Sequence, residues 1–542
     1  MTNGSRPRVT IVGAGIAGLS AALWLLEAGC DVTAIERKPS VGGKFGTEEV
    51  DGIHHEHAYH FFGEWYLNFW DLVDKIGLDK QTEFEARSTI KFLPPRKGGA
   101  KAPYDFRELR SLGSSDYFWT NVNSRLMPWP DMLIYLYSVL DLLSDQTFER
   151  EEFLNRVSVN GFMRSRGYAT DLAALLHQEA LLKAFAVPSY ETSVRSYQKF
   201  LQLVAAYPDP GVWVLRGNCF DAFWKPFLDK LYGFNRRGRK RFTLQTSTTV
   251  KEITLARDGG AGPVKVSDIV TAPHGDEKRA VEVAVDRLIV AVPPGELAKL
   301  VRRSARLREV APELLNVERL RSQQMASLDL SFVRRLDGIP RDHVTLVDPE
   351  NRLESRFPQR NGIASEYGLS FIDNSQLWPS AENTMLNVVA SDFEVLRGLD
   401  RDEARGMIMA ELGRYLKFGQ GDIDEKRSHF QTHEDAPLFV NSVGSWQCRP
   451  EVRPDAAGNR IQDKVSHLYL AGDYCRSKID IVSIEGAILT GIWAARAISE
   501  RVAAPRLPER FDPGKVEEAK ASLKTWLALA QGSAARSGRR RA

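Results

Sequence analysis

Residues 8–44 read RVTIVGAGIAGLSAALWLLEAGCDVTAIERKPSVGGK. A short apolar run is followed by a glycine turn, a helix, a second apolar run ending in an acid, and a glycine pair. Residues 9–12 have the character of a buried parallel strand, and Gly13, Gly15 and Gly18 stand at the three places where a Cβ would obstruct a dinucleotide. Gly13 makes the tight turn, Gly15 admits the pyrophosphate, and Gly18 lets helix and strand pack closely. A helix starting at Ile16 and Ala17 turns its free N–H groups and the positive end of its dipole toward the phosphates. Glu36 lies 18 residues beyond Gly18, at the end of the strand expected over residues 32–35, where a carboxylate accepts hydrogen bonds from ribose hydroxyls.

That acid would repel the 2′-phosphate of NADP, which leaves NAD or FAD. The run from Glu36 and Arg37 to Gly42-Gly43-Lys44 decides between them, because it resembles the acid-to-GG segment of the flavin-containing amine oxidase and carotenoid desaturase superfamily. The resemblance implies FAD, with the glycine pair along the ribityl chain and pyrophosphate. The superfamily commonly has Arg where this chain has Lys44, so the charge is kept and the bidentate fork is lost.

Further segments extend the likeness. Val250, in the alternating strand 249–253, corresponds to the residue whose backbone meets the adenine. Residues 465–498 place Gly472-Asp473 after a strand, at the phosphate and ribityl region, and start a helix at Ser483-Ile484 whose N-terminus faces the flavin's pyrimidine end. The segment EHAYHFFGEWYLNFWDLVDKIGL, residues 56–78, is similar to phytoene desaturases in its Glu56, His60, Phe61-Phe62-Gly63 and Asn68. In those proteins this loop passes near the isoalloxazine, which puts Tyr59 and His60 at the cofactor and makes His60 the leading polar group at the active face.

Ser483 separates the branches. Amine oxidases typically carry Tyr there, one wall of an aromatic cage, whereas phytoene-type desaturases carry Ser. The resemblance therefore implies a carotenoid or terpenoid desaturase type of FAD oxidoreductase, with hydroxysqualene dehydroxylase-type enzymes also similar. Hydride would leave an apolar isoprenoid or lipid-like substrate for flavin N5, with O2 or a quinone as the final electron acceptor. Asp480 and Glu64 are the candidate proton acceptors, although Asp480 lies in a stretch one residue longer than usual. The alternatives are an amine or amino-acid oxidase, with Arg449 as its carboxylate clamp, a flavoprotein isomerase, or a non-catalytic flavin protein that docks on membranes or partners.

At 542 residues the chain exceeds what one core supports. The expected fold class is α/β: a Rossmann-like FAD-binding domain in three parts (1–103, 211–296, 441–500), a discontinuous α+β substrate domain with a helical insert (104–210, 297–440), and a tail (501–542). The Gly- and Pro-rich residues 259–277 suggest a hairpin end, and the tail a weak helix over 516–530 followed by disorder.

Composition excludes several classes. No run of 18 apolar residues appears, so no transmembrane helix is expected. Polar residues 1–7 lead directly into the first strand, which suggests a cytoplasmic chain without a targeting peptide. The net charge is +3, and Arg536, Arg539, Arg540 and Arg541 account for more than that, so the body, at roughly −1, gives no support to nucleic-acid binding. Peripheral membrane contact is expected from the Arg clusters, at 236–241 and in the tail, and from the aromatic-aliphatic residues 132–143. Cys30, Cys219, Cys448 and Cys475 lack CxxC spacing. Four close histidines, His54, His55, His57 and His60, lack a further cluster to complete a ligand set, so no metal is expected.

Overall fold

The molecule is described by a computed structural model over residues 6–96, 103–110, 116–144, 151–236, 238–256, 263–348, 365–378, 381–434, 437–509 and 511–539. Its organising element is a five-stranded parallel sheet in the order Phe242–Gln245, Asp31–Ile35, Arg8–Val12, Leu288–Val290, Leu468–Leu470. The central strands read as continuous apolar runs because both sheet faces are covered, which is the usual state of parallel sheets. The helix Ile16–Glu27 is buried from Ile16 to Leu26. Its neighbour Ile484–Ile498 comes so close that a Cβ on Gly491 would lie 2.4 Å from the Ala17 carbonyl oxygen.

A second, antiparallel sheet joins Thr248–Leu255, Val264–Pro273 and Val281–Ala284. The strand Val264–Pro273 runs through the region expected to be only a hairpin end, since its Val266, Ile269 and Ala272 are buried where the Gly-rich flank suggested a loop. Residues 259–262 of that expectation lie outside the described residues.

A seven-stranded sheet is ordered His429–Thr432, Ala326–Ser331, Met385–Ala390, Leu369–Asp373, His343–Leu346, Thr89–Leu93, Arg107–Arg110. This corrects the expected boundary at 103. Thr89–Leu93 pairs in parallel with His343–Leu346 and Arg107–Arg110 pairs with it in turn, so this sheet takes strands from both sides of that boundary.

The helical insert includes Trp129–Ser144, Asp171–Phe185 and Val194–Ala206. Trp129–Ser144 carries the stretch expected at a membrane surface, and it is instead interior: Met132, Ile134 and Leu142 are fully buried. The C-terminal helix Gly514–Arg539 packs against it, with Lys520 Nζ 2.7 Å from Asp141 and 2.9 Å from Ser144 Oγ. That helix also replaces the weak helix and disordered tail expected there; Arg540 and Arg541 lie outside the described residues. Among the described residues no helix is long and apolar enough to cross a membrane. In the 236–241 cluster, Arg241 turns inward and donates to the Leu26 and Cys30 carbonyls at the end of the first helix, a structural clasp rather than a lipid contact. Arg237 lies outside the described residues.

Candidate active site

Gly13 and Gly18 have no room for a side chain. A Cβ on Gly13, at φ +100°, would lie 2.3 Å from the Ala291 carbonyl oxygen, and one on Gly18 would lie 2.0 Å from that of Gly13. Gly15 differs: its nearest neighbour would be the Gly42 oxygen at 3.8 Å, because its open side faces a cavity of about 350 Å3. Gly15 is the N-cap of the first helix and offers no side chain to the helix's free N–H groups, which leaves them for an anionic ligand.

Glu36 is held by its own loop, with Oε2 accepting from the Ala14 N–H at 2.8 Å and Oε1 from the Lys38 N–H at 2.9 Å. Each oxygen keeps a lone pair for a hydroxyl donor. Arg37 pairs with Glu296 at 3.2 Å, and Val250 closes the same end of the cavity. The Gly42 N–H donates to the Ala14 carbonyl at 3.0 Å, so the glycine pair is docked on the first turn. Lys44 Nζ lies 2.6 Å from Asp473 Oδ2, an ion pair joining segments 429 residues apart. The Gly472 N–H is held by Thr490 Oγ1 at 2.9 Å. Ser483 caps the helix Ile484–Ile498 by accepting from the Gly486 N–H at 3.1 Å, and both Ser483 and Ile484 line the cavity. Of the expected cofactor positions, Gly18 is the one that does not line it; its place is behind the turn, against Gly13.

The four histidines diverge. His54 stacks on Phe220 and His55 contacts Asp329 at 3.1 Å. His57 packs on His433, and His60 alone lines the cavity, edge-on to Phe45. Burial lowers both His57 and His60 to about 4, so they are neutral near pH 7. No group of residues able to hold a metal occurs among the described residues. Tyr59 also lines the cavity, its hydroxyl bonded to His343 Nε2 at 2.7 Å and to Ser370 Oγ.

Asp480 is not where a proton acceptor would have to be. It is 2% exposed, does not line the cavity, and is paired with Arg449 and with Arg195 Nε, the latter at 3.0 Å. Arg449 is thereby excluded as a substrate clamp; its Nε and Nη2 donate to the loop that follows Asp473, through the Tyr474 and Cys475 carbonyls at 2.9 and 2.8 Å. Glu64 is bound to Lys80 at 2.7 Å and to the Trp213 indole N–H at 2.6 Å, also away from the cavity. Lys183, Phe185, Met325 and Leu438 line the cavity and were not among the expected positions. Lys183 lies in the last turn of an insert helix, where its sequence neighbours give no sign that it lines the cavity.

Two buried carboxyls brace the site. Glu485 accepts from the Asn68 and Phe69 N–H groups, each at 3.0 Å, and burial pushes it up to about 7. Glu56 accepts from the Cys219 N–H at 2.9 Å, and burial, with Asp329 adding to it, pushes it up to about 8. A carboxyl whose folded pKa is raised favours the fold most below its unfolded value and loses that contribution as pH climbs to the folded value. Stability therefore falls between pH 4.5 and about 8 on account of Glu56. Glu56→Gln keeps the acceptor for Cys219 and removes the titration, so its melting temperature should decline less than that of the unaltered protein between pH 5 and 9; parallel curves would refute this assignment.

The flavin containing amine oxidoreductase family matches residues 16–499. The chain belongs to that family, and its cofactor is accordingly FAD. Among its relatives, tomato (Solanum lycopersicum) chloroplastic/chromoplastic 15-cis-phytoene desaturase is 23% identical over 501 residues, covering 90% of this chain and 77% of that protein. A probable zeta-carotene desaturase of Synechococcus elongatus is 24% identical over 91% of this chain and 98% of its own length, and the carotenoid phi-ring synthase of Streptomyces griseus 24% over 92% and 89%. The fold is that of cyclohexylamine oxidase from Brevibacterium oxydans, with a TM-score of 0.61 at 16% identity over 92% of this chain and 99% of that one.

Proposed function

We propose that this FAD-dependent oxidoreductase removes hydride from an apolar isoprenoid or lipid-like substrate, as a desaturase does. The observation that carries this reading is the wall of the cavity beyond Ser483, where Phe61, Phe185, Met325, Val389 and Leu438 provide apolar surface and the helix cap contributes a small hydroxyl in place of an aromatic ring. The carotenoid-acting names of the relatives support it.

In this reading Glu36 accepts from ribose hydroxyls, and Gly13, Gly15, Ile16 and Ala17 present backbone to the pyrophosphate. Gly42, Gly43, Lys44, Gly472 and Asp473 line the ribityl and phosphate path, with Val250 and Arg37 at the adenosine end. When bound, FAD supplies the acceptor for a hydride. Ser483 and Ile484 aim the positive end of their helix at it, which favours negative charge there. His60 and Tyr59 offer neutral polar groups at the reacting face, and the apolar wall excludes water while orienting the C–H bond. Loss of a proton from the carbon next to the one that gave up hydride would complete the double bond, and oxygen or a quinone would be the final electron acceptor.

The test is anaerobic mixing of the purified yellow protein with polyenes, triterpenes and amines while the flavin absorbance is followed. Bleaching by a polyene or triterpene is expected. Bleaching by an amine alone would overturn the reading.

A further inference from the structure

Lys183 is a cation in the apolar half of the cavity. Among the described residues, every other Asp, Glu, Lys or Arg lining it (Glu36, Arg37, Lys38, Lys44, Glu296, Asp473) belongs to the dinucleotide end. Two pairs there already neutralise each other, Arg37 with Glu296 and Lys44 with Asp473. Lys183 comes instead from the last turn of the insert helix Asp171–Phe185 and stands with Tyr59, Phe185, Met325 and Leu438. We infer that Lys183 is a specificity-determining residue that receives the carboxylate end of an otherwise apolar substrate; this rests on the function proposed above and narrows its substrate class.

The surroundings of the ammonium group favour such a ligand. Its Nζ donates to the Leu369 carbonyl at 3.0 Å, next in sequence to Ser370, whose hydroxyl is bonded to that of Tyr59. An ammonium has three N–H donors. Glu179, one turn earlier on the same helix, and Asp392, beyond the strand Met385–Ala390, attract Lys183 electrostatically, but neither lines this cavity. Asp392 lines a separate cavity of about 230 Å3. The two carboxylates therefore help to keep the lysine charged, while Lys183 itself lines the cavity. His343, the remaining titratable neighbour apart from Tyr59, is lowered by burial to about 3 and is neutral. Burial lowers Lys183 itself to about 8, so at pH 7 it is mostly protonated.

A carboxylate here makes a charge-assisted hydrogen bond in a poorly solvated place, and an alkylammonium meets a like charge. The same lysine thus attracts an acidic lipid and rejects an amine of the same length.

The experiment is calorimetric titration of the FAD-loaded protein at pH 7 with dodecanoate, dodecanol and dodecylamine, each below its micelle concentration. Dodecanoate is expected to bind about tenfold more tightly than dodecanol, with dodecylamine weakest. The dodecanoate preference should fade as pH rises from 7 to 9.5 through the lysine's titration, and Lys183→Met should abolish it, while Lys183→Arg retains it. Equal binding of dodecylamine and dodecanoate, or unchanged dodecanoate binding in Lys183→Met, overturns the inference. The pH titration of the unaltered protein carries the test if the Met variant does not fold. Polyene bleaching without a dodecanoate preference would sink this inference alone; a dodecanoate preference without bleaching by any polyene or triterpene would sink the desaturase reading alone.

Discussion

Replacing Arg449 with Met should destabilise the protein by about 3–5 kcal/mol, the usual cost of leaving a buried charge without its partner. Asp480 is 2% exposed and, among the described residues, would keep Arg195 alone as an ion-pair partner. The loss extends beyond the ion pair, because Arg449 also holds the carbonyls of Tyr474 and Cys475. Those two residues follow directly on Gly472-Asp473, and Asp480 lies three residues before Ser483, so the loop braced by this arginine carries both ends of the candidate flavin contact. Denaturant unfolding should therefore show the destabilisation together with a fall in flavin content. Asp480→Asn combined with Arg449→Met should cost less than the two single variants added together, since the double variant leaves no unpaired carboxylate. Simple additivity, or a cost for Arg449→Met below about 1 kcal/mol, would show that the pair does not brace the loop.

The second large effect separates two glycines of one turn. Gly18→Val should yield little folded protein, since its Cβ would start 2.0 Å from the Gly13 carbonyl oxygen and neither backbone can retreat without opening the strand-to-helix contact. Gly15→Val should fold, because its nearest neighbour lies at 3.8 Å, yet it should purify colourless: the added methyl groups occupy the space through which the pyrophosphate approaches. Circular dichroism and the flavin absorbance of the purified variants distinguish the outcomes. A yellow Gly15→Val protein would remove the pyrophosphate from this turn.

Local signals in the chain were enough to pick out many residues of one cavity. Gly13, Gly15, Glu36, Gly42, Gly43, Lys44, Gly472, Asp473 and Ser483 are each marked by a turn, a strand end or a helix start within a few residues, and the structure brings all nine to one cavity. What escaped is governed by distant partners. Asp480 reads as a loop carboxylate until Arg195, contributed by an insert helix, and Arg449 close around it. The residues 132–143 read as a surface patch because their cover, the helix around Lys520, comes from the far end of the chain. Thr89–Leu93 has the alternation of a half-buried strand, but its partner His343–Leu346 is remote, so the sheet to which it belongs was not legible. Lys183 has no local mark at all; only the folded chain shows that it lines the cavity.

The parallel sheet also sets an order in time. Its strands come from residues 8–12, 31–35, 242–245, 288–290 and 468–470, so the first two to leave the ribosome have each other but wait for their outer neighbours, made hundreds of residues later. Pairings of such long range make for slow folding. Since Asp473 and Ser483 follow the last of these strands, the lining of the candidate cavity is complete only once residue 483 has been made.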